Sequence, residues 1–251
     1  MNTAKKAPLL GILGGLGPMS TVYFYELLTS HTRASTDADH IDLLISSRAS
    51  TPDRTAFLLG RSQSDPFPVM LEEMNRLIAA GAELLVIPCN TAHTFYEKLQ
   101  AQSEIPILNI IEETVLHLKR GGIRTFGLLA TEGTVKANAY PHFCTDSGMR
   151  CLLPTKEEQN VITSIIYDDV KQNRPVDMTR FLSVANAMRE RGCERLVLGC
   201  TELSLLKKNG LSDAVYLDSL EVLAYRTILA CQRIPCGFSE EFLSLAREGS
   251  K

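Results

Sequence analysis

The sequence predicts an α/β protein of two pseudo-symmetric lobes, each built on a parallel sheet. Three observations carry that prediction. Short aliphatic runs recur along the chain as continuous rather than alternating stretches, longer segments with helical spacing separate them, and the two halves repeat each other in register. A strand that reads as an unbroken apolar run is covered on both faces, which is the situation of a parallel sheet flanked by helices.

The elements follow in order. LLGIL (9–13) opens the chain, a glycine-rich loop GGLGP follows it, and IDLLIS (41–46) supplies the next run. In MLEEMNRLIAAGAE the apolar residues Met70, Leu71, Met74, Leu77 and Ile78 keep helical spacing and Gly81 supplies the stop. ELLVIP (83–88), IPILNI (105–110) and TFGLLA (125–130) are the third to fifth runs. FLSVANAMRERGCE repeats the earlier helix, with Phe181, Leu182, Val184, Ala185 and Met188 as its stripe and Gly192 as its stop. RLVLG (195–199) and AVYLD (214–218) close the series.

The repeat can be counted. Gly81 and Gly192 lie 111 positions apart, and so do Cys89 and Cys200, so helix stop, strand and cysteine share one register. LGILGGLGPMST (10–21) is answered by FGLLATEGTVKA (126–137), with Gly17 opposite Gly133, and IPILNIIEET by AVYLDSLEVL. A duplicated lobe accounts for this, with residues 1–113 plus 217–251 forming the first lobe and 114–216 the second.

Composition narrows the function. A chain of 251 residues holds two lobes of about 100 to 130 residues, each able to bury a core. With 45% hydrophobic and 22% charged residues, a net charge of -3 and no basic block, nucleic acid is not an expected partner. Seven cysteines without a CxxC pair, behind an N-terminus with no apolar leader core, read as free thiols in a reducing cytoplasm. No run approaches the roughly 18 apolar residues of a membrane span.

Cys89, in LLVIPCNTAH, and Cys200, in RLVLGCTELS, each stand where an aliphatic run ends. That is the carboxyl edge of a parallel sheet, where α/β proteins place ligands, and facing lobes bring the two thiols together. A thiol of ordinary pKa near 8.5 is made more acidic by a following helix N-terminus, so one member serves as thiolate base and the other as protonated acid. Such a pair inverts a carbon held between its members without a cofactor. Cys144, Cys151, Cys193, Cys231 and Cys236 lack this setting and read as structural. His93 follows Cys89 by four residues, but no second histidine pair completes a zinc set, and no metal is expected. GILGGLGP begins a G-x-G-x-x-S that departs from the dinucleotide fingerprint at Ser20, so no dinucleotide is expected either.

PCNTAH around Cys89, GCTE around Cys200, the N-terminal GILGGLGP and the PDRT at 52–55 together resemble the aspartate racemase branch of the pyridoxal-phosphate-independent Asp/Glu racemase superfamily, over nearly the whole chain. The resemblance implies two α/β lobes with the site between them and two cysteines acting on the α-carbon of a small acidic amino acid, in a homodimer. Cys89 and Cys200 are then the acid/bases. Asn90, Thr91 and Thr201 adjoin them and offer donors to the α-carboxylate and to developing enolate-like oxygens, with Thr131 and Glu202 as further substrate contacts. Arg54 in PDRT and Lys171 in IIYDDVKQ match the family's carboxylate-holding positions. The glutamate branch carries GCTH where this chain has Glu202, which points to the aspartate type. Arg48, in SSRAS, replaces a short residue of the family and is expected to re-aim the side-chain pocket. Glutamate or broad-specificity racemisation, a maleate-isomerase-like reaction with one cysteine as nucleophile and a non-catalytic binding protein stand as alternatives.

Overall fold

The computed structural model describes residues 7–144, 148–208, 210–212 and 214–246. Strands β1 (Leu10–Gly14), β2 (Leu43–Ser47), β3 (Leu84–Val86) and β4 (Ile107–Leu108) pair in parallel in the order β2-β1-β3-β4. β5 (Thr125–Leu129), β6 (Arg150–Leu152), β7 (Arg195–Leu198) and β8 (Tyr216–Asp218) do the same in the order β6-β5-β7-β8. The second sheet thus repeats the first strand for strand. β6 is the strand that the aliphatic runs do not announce: Arg-Cys-Leu forms a short, partly exposed edge.

The helices are α1 (Pro18–Ser30), α2 (Arg54–Leu58), α3 (Phe67–Ala79), α4 (Tyr96–Gln100), α5 (Ile110–Arg120), α6 (Glu132–Lys136), α7 (Ala139–Cys144), α8 (Lys156–Ser164), α9 (Met178–Glu190), α10 (Ser204–Lys208), α11 (Ser219–Ala230) and α12 (Glu240–Ala246). Gly81 and Gly192 stop α3 and α9 in matching left-handed turns, at φ 99° and 95°, a conformation that a Cβ would disfavour.

Three apolar clusters form. Met70, Met74 and Leu77 of α3 cover the outer face of the first sheet, and Phe181, Val184 and Met188 of α9, with Ile162 of α8, cover the outer face of the second. The third cluster is common to both lobes. Leu10 and Ile12 of the first sheet and Phe126, Leu128 and Val197 of the second are buried against one layer that includes α1, α5 and α11. β8 completes the second sheet through Asp218, two positions into the segment assigned to the first lobe, and α11 then packs on α1 and α5.

One irregularity positions the site. α8 runs on into a π turn at Ile165–Asp169 and a 3-10 turn at Val170–Gln172, which ends at Asn173 with φ 58°. Single π turns inside helices are rare and concentrate at functional positions.

Candidate active site

Both catalytic-candidate thiols sit just past the carboxyl ends of corresponding strands. β3 ends at Val86, Pro88 offers no amide to a ladder, and the Cys89 amide turns back to the Ile87 carbonyl at 2.7 Å. β7 ends at Leu198, and Leu203 N–H donates to the Cys200 carbonyl at 2.9 Å. The two residues are buried, and they line one narrow cleft together with Arg54, Asn90, Thr91, Thr131, Lys171, Thr201 and Glu202. Nine of the ten residues selected from the sequence therefore meet in one place.

Arg48 is the exception. Its guanidinium turns outward to Glu72 at 2.6 Å and Glu73 at 2.7 Å on α3, and it is absent from the wall of the cleft. The expectation that it re-aims the substrate pocket is corrected: carboxylates one helix away hold it at the surface.

The charges within the cleft are unevenly paired. Arg54 is buried, and its Nη2 donates to the Leu16 carbonyl at 2.6 Å while Nη1 donates to Pro52 at 3.0 Å and Thr51 at 3.3 Å. Its Nε has no partner, and among the described residues no carboxylate forms an ion pair with it. Lys171 stands 3.5 Å from Asp53 and 4.1 Å from the centre of the Tyr167 ring. Burial opposes its charge, but Glu202, Tyr167, Cys200 and Asp53 outweigh that effect and raise its pKa. The π turn sets Tyr167 and Lys171 four residues apart on one side of the cleft, and the Tyr167 hydroxyl reaches the Asp53 carboxylate at 3.4 Å. Asp53 also caps α2 by accepting the Ala56 amide at 2.7 Å.

Glu202 lies where it can act on Cys200. The Cys200 thiol donates to Glu202 Oε2 at 2.9 Å in a buried setting. Burial and the Glu202 charge push the Cys200 pKa well above the usual thiol range, so this thiol is protonated at neutral pH. The other Glu202 oxygen fits beside Gly17, where an added Cβ would come within 2.7 Å of it. A Cβ on Gly15, at φ 77°, would strike the Arg48 backbone at 2.4 Å. The N-terminal glycines thus serve close packing and a carboxylate.

Across the cleft floor Thr91 meets Thr131 and Thr134, each hydroxyl pair 2.9 Å apart. Asn90 Nδ2 donates to Ser219 Oγ at 2.9 Å, and Asn90 Oδ1 accepts from Tyr140 at 2.6 Å. One Nδ2 hydrogen is left over for a ligand. Thr201 is buried beside Cys200, with its hydroxyl 3.5 Å from Glu202.

Tyr167, Asp53, Thr55 and Leu16 also form part of the wall without having been singled out as site residues. Tyr167 and Asp53 lie inside the quoted segments IIYDDVKQ and PDRT, so the signal was proximity to Lys171 and Arg54. Among the described residues no group of three or more His, Cys, Asp or Glu side chains is arranged to hold a metal ion, and no helix is long and apolar enough to cross a membrane.

A parallel-sheet pair with one cysteine turn from each lobe on a shared cleft defines a class, and residues 13–227 match it: the chain belongs to the Asp/Glu/hydantoin racemase family and is an amino-acid racemase. Among its relatives is the broad specificity amino-acid racemase RacX of Bacillus subtilis (strain 168), 27% identical over 233 residues that span 88% of this chain and 96% of that one. The aspartate racemase of Picrophilus torridus superposes with a TM-score of 0.81 at 27% identity, covering 95% of this chain and 99% of the other. A glutamate racemase of Francisella tularensis, solved with D-glutamate, shares the fold at a TM-score of 0.63 and 16% identity, over 97% and 96% of the two chains.

Proposed function

We propose that the enzyme racemises aspartate without a cofactor, using Cys89 and Cys200 as the two acid/bases. The observation that carries this reading is a small cleft holding both thiols beside a buried guanidinium whose Nε has no partner and which forms no ion pair among the described residues. Asp53 is a nearby compensating charge, and an acidic substrate would add the direct partner that a desolvated cation favours. Arg54 and Lys171 hold the side-chain carboxylate, Lys171 exchanging Asp53 for the ligand, while Asn90, Thr91 and Thr201 receive the α-carboxylate.

Cys89 as thiolate takes the α-proton of one enantiomer, and the carbanion is stabilised as an enolate by donors at its carboxylate. The Cys200 thiol delivers its proton to the opposite face. That transfer leaves Cys89 protonated and Cys200 as the thiolate, the form that runs the reverse direction: Cys200 takes the α-proton of the other enantiomer and Cys89 returns its own. A second turnover in the same direction needs Cys89 to release its proton to solvent and Cys200 to regain one, and Glu202, 2.9 Å from the Cys200 sulfur, is the carboxylate placed to relay it.

A second reading is supported by the space outside the cleft. A vestibule of about 480 Å³ shares Leu16, Asp53, Arg54, Lys171 and Glu202 with the cleft and adds Pro18, Met19, Val170 and Leu205. Side chains longer than that of aspartate have room to extend there, which favours glutamate or a wider set of amino acids as additional substrates.

The test is incubation of single enantiomers of Asp, Glu, Ala and Ser in deuterated water, followed by chiral chromatography and mass spectrometry. The enzyme should invert aspartate with uptake of solvent deuterium. Cys89→Ser and Cys200→Ser should each lose inversion, retaining at most exchange in opposite enantiomers. Near wild-type racemisation by both variants refutes the two-thiol mechanism.

A further inference from the structure

We propose that His93 is the positioning residue for Cys89, a strut that sets the turn on which the thiol stands. The inference rests on the two-cysteine reading and goes beyond it, because His93 does not line the cleft.

His93 follows Cys89 by four residues, and its ring spans two elements. Nδ1 lies 2.8 Å from the Cys89 carbonyl, and the Ile110 amide donates to Nε2 at 3.2 Å. An amide N–H can only donate, so Nε2 accepts from Ile110, the Leu108 carbonyl 3.5 Å from Nε2 being too distant to compete, and Nδ1 carries the hydrogen given to Cys89. One neutral tautomer satisfies both bonds. Burial lowers the His93 pKa to about 4, which keeps the ring in that form at neutral pH. Ile110 opens α5, where Asn109 accepts the amides of Ile111 and Glu112 as the cap. The strut therefore ties the cysteine turn to the capped mouth of the helix that follows the edge strand.

The second lobe keeps only the outer half of this link, since its cysteine carbonyl accepts from the Leu203 amide instead. Ser204 follows Cys200 by four residues, and its hydroxyl donates to Asp218 Oδ1 at 2.6 Å. Asp218 caps α11 by accepting the Leu220 amide at 2.9 Å. The position four residues after each cysteine is thus linked to the corresponding helix mouth in both lobes, by imidazole in one and hydroxyl–carboxylate in the other. Packing alone would require neither a tautomer-specific ring nor two links at the same register.

The experiment uses His93→Leu, which keeps bulk and loses both bonds, and His93→Gln, whose single amide can donate to Cys89 and accept from Ile110. Each is placed in the Cys200→Ser and Cys89→Ser backgrounds, and deuterium exchange into each aspartate enantiomer is measured. Misplacing a catalytic group by about 1 Å costs up to about 100-fold. His93→Leu should therefore slow the exchange due to Cys89 by about 10- to 100-fold and leave that due to Cys200 within about twofold, with His93→Gln restoring most of the loss. Iodoacetamide labelling of each cysteine, mapped by mass spectrometry in the full-length protein, reads the same asymmetry without turnover: the Cys89 rate should shift while the Cys200 rate holds. Equal slowing at both cysteines, or no change at either, overturns the inference. Full racemisation by the parent cysteine variants would instead overturn the two-cysteine reading, and labelling would still judge His93.

Discussion

Replacing Arg54 by Met separates its structural role from its binding role. The guanidinium gives hydrogen bonds to three backbone carbonyls, those of Leu16, Pro52 and Thr51. Losing three such bonds costs about 1 kcal/mol each. Removing a buried cation that has no ion pair among the described residues relieves a desolvation penalty of several kcal/mol, offset in part by the lost attraction to Asp53. The opposing effects should leave stability within about 2 kcal/mol of wild type, a Tm shift of a few degrees for a chain of this size. Catalysis has no such offset. A carboxylate that loses a charged partner in a desolvated site forfeits about 2 to 5 kcal/mol, or about 30- to 4000-fold in kcat/KM at 1.4 kcal/mol per tenfold. Arg54→Lys keeps the charge but loses the planar fork and should fall between. Chiral chromatography started from each enantiomer measures the effect and contains its own control: enantiomers interconvert with an equilibrium constant of one, so kcat/KM must drop by the same factor in both directions. A folded Arg54→Met with wild-type kcat/KM would show that this guanidinium does not bind substrate.

Two further outcomes follow from the ionisable groups. Glu202→Gln removes the negative charge that raises the Cys200 pKa; it should move the pH profile of Cys200-dependent exchange to lower pH and lower kcat by about 100-fold as the proton relay to Cys200 is lost, whereas unchanged racemisation at every pH would remove Glu202 from the mechanism. Burial lowers the pKa of His93 and His117 to about 4 from 6.5. Because the folded values lie below the unfolded ones, their contribution is complete above about pH 6.5 and is lost as pH falls toward 4, amounting to about 3 kcal/mol per residue over the whole range. Urea unfolding at pH 7 and pH 5 should differ by about 2 kcal/mol for each histidine, and equal stability at the two pH values would contradict their burial as neutral rings.

The fold was legible because its information is local. Continuous aliphatic runs, glycine stops at Gly81 and Gly192 and a fixed register reported the strands, the helix ends and the duplication. β6 escaped because three residues beginning with arginine on a half-exposed edge carry no apolar signature. That Cys89 and Cys200 share a cleft was legible for the same reason as the repeat, their common register. Arg48 misled because its partners, Glu72 and Glu73, lie on another element. Glu202 lines the cleft as the motif led one to expect, and its bond to the neighbouring thiol depends on a turn geometry that the sequence does not display. Tyr167 depended on a π turn, an insertion in helical phase that periodicity cannot reveal.

The apolar layer common to both sheets has a mechanical consequence. Since α1, α5 and α11 complete the cores of both lobes at once, neither half is an independent folding unit, and the chain should melt as one cooperative body even though its sequence is written twice. The contacts between Asp53 and the Tyr167–Lys171 pair are polar, long and partly exposed by comparison. Parting them exposes none of the shared core, so amide hydrogen exchange should be slowest in that layer and faster at this rim, where the cleft meets the vestibule.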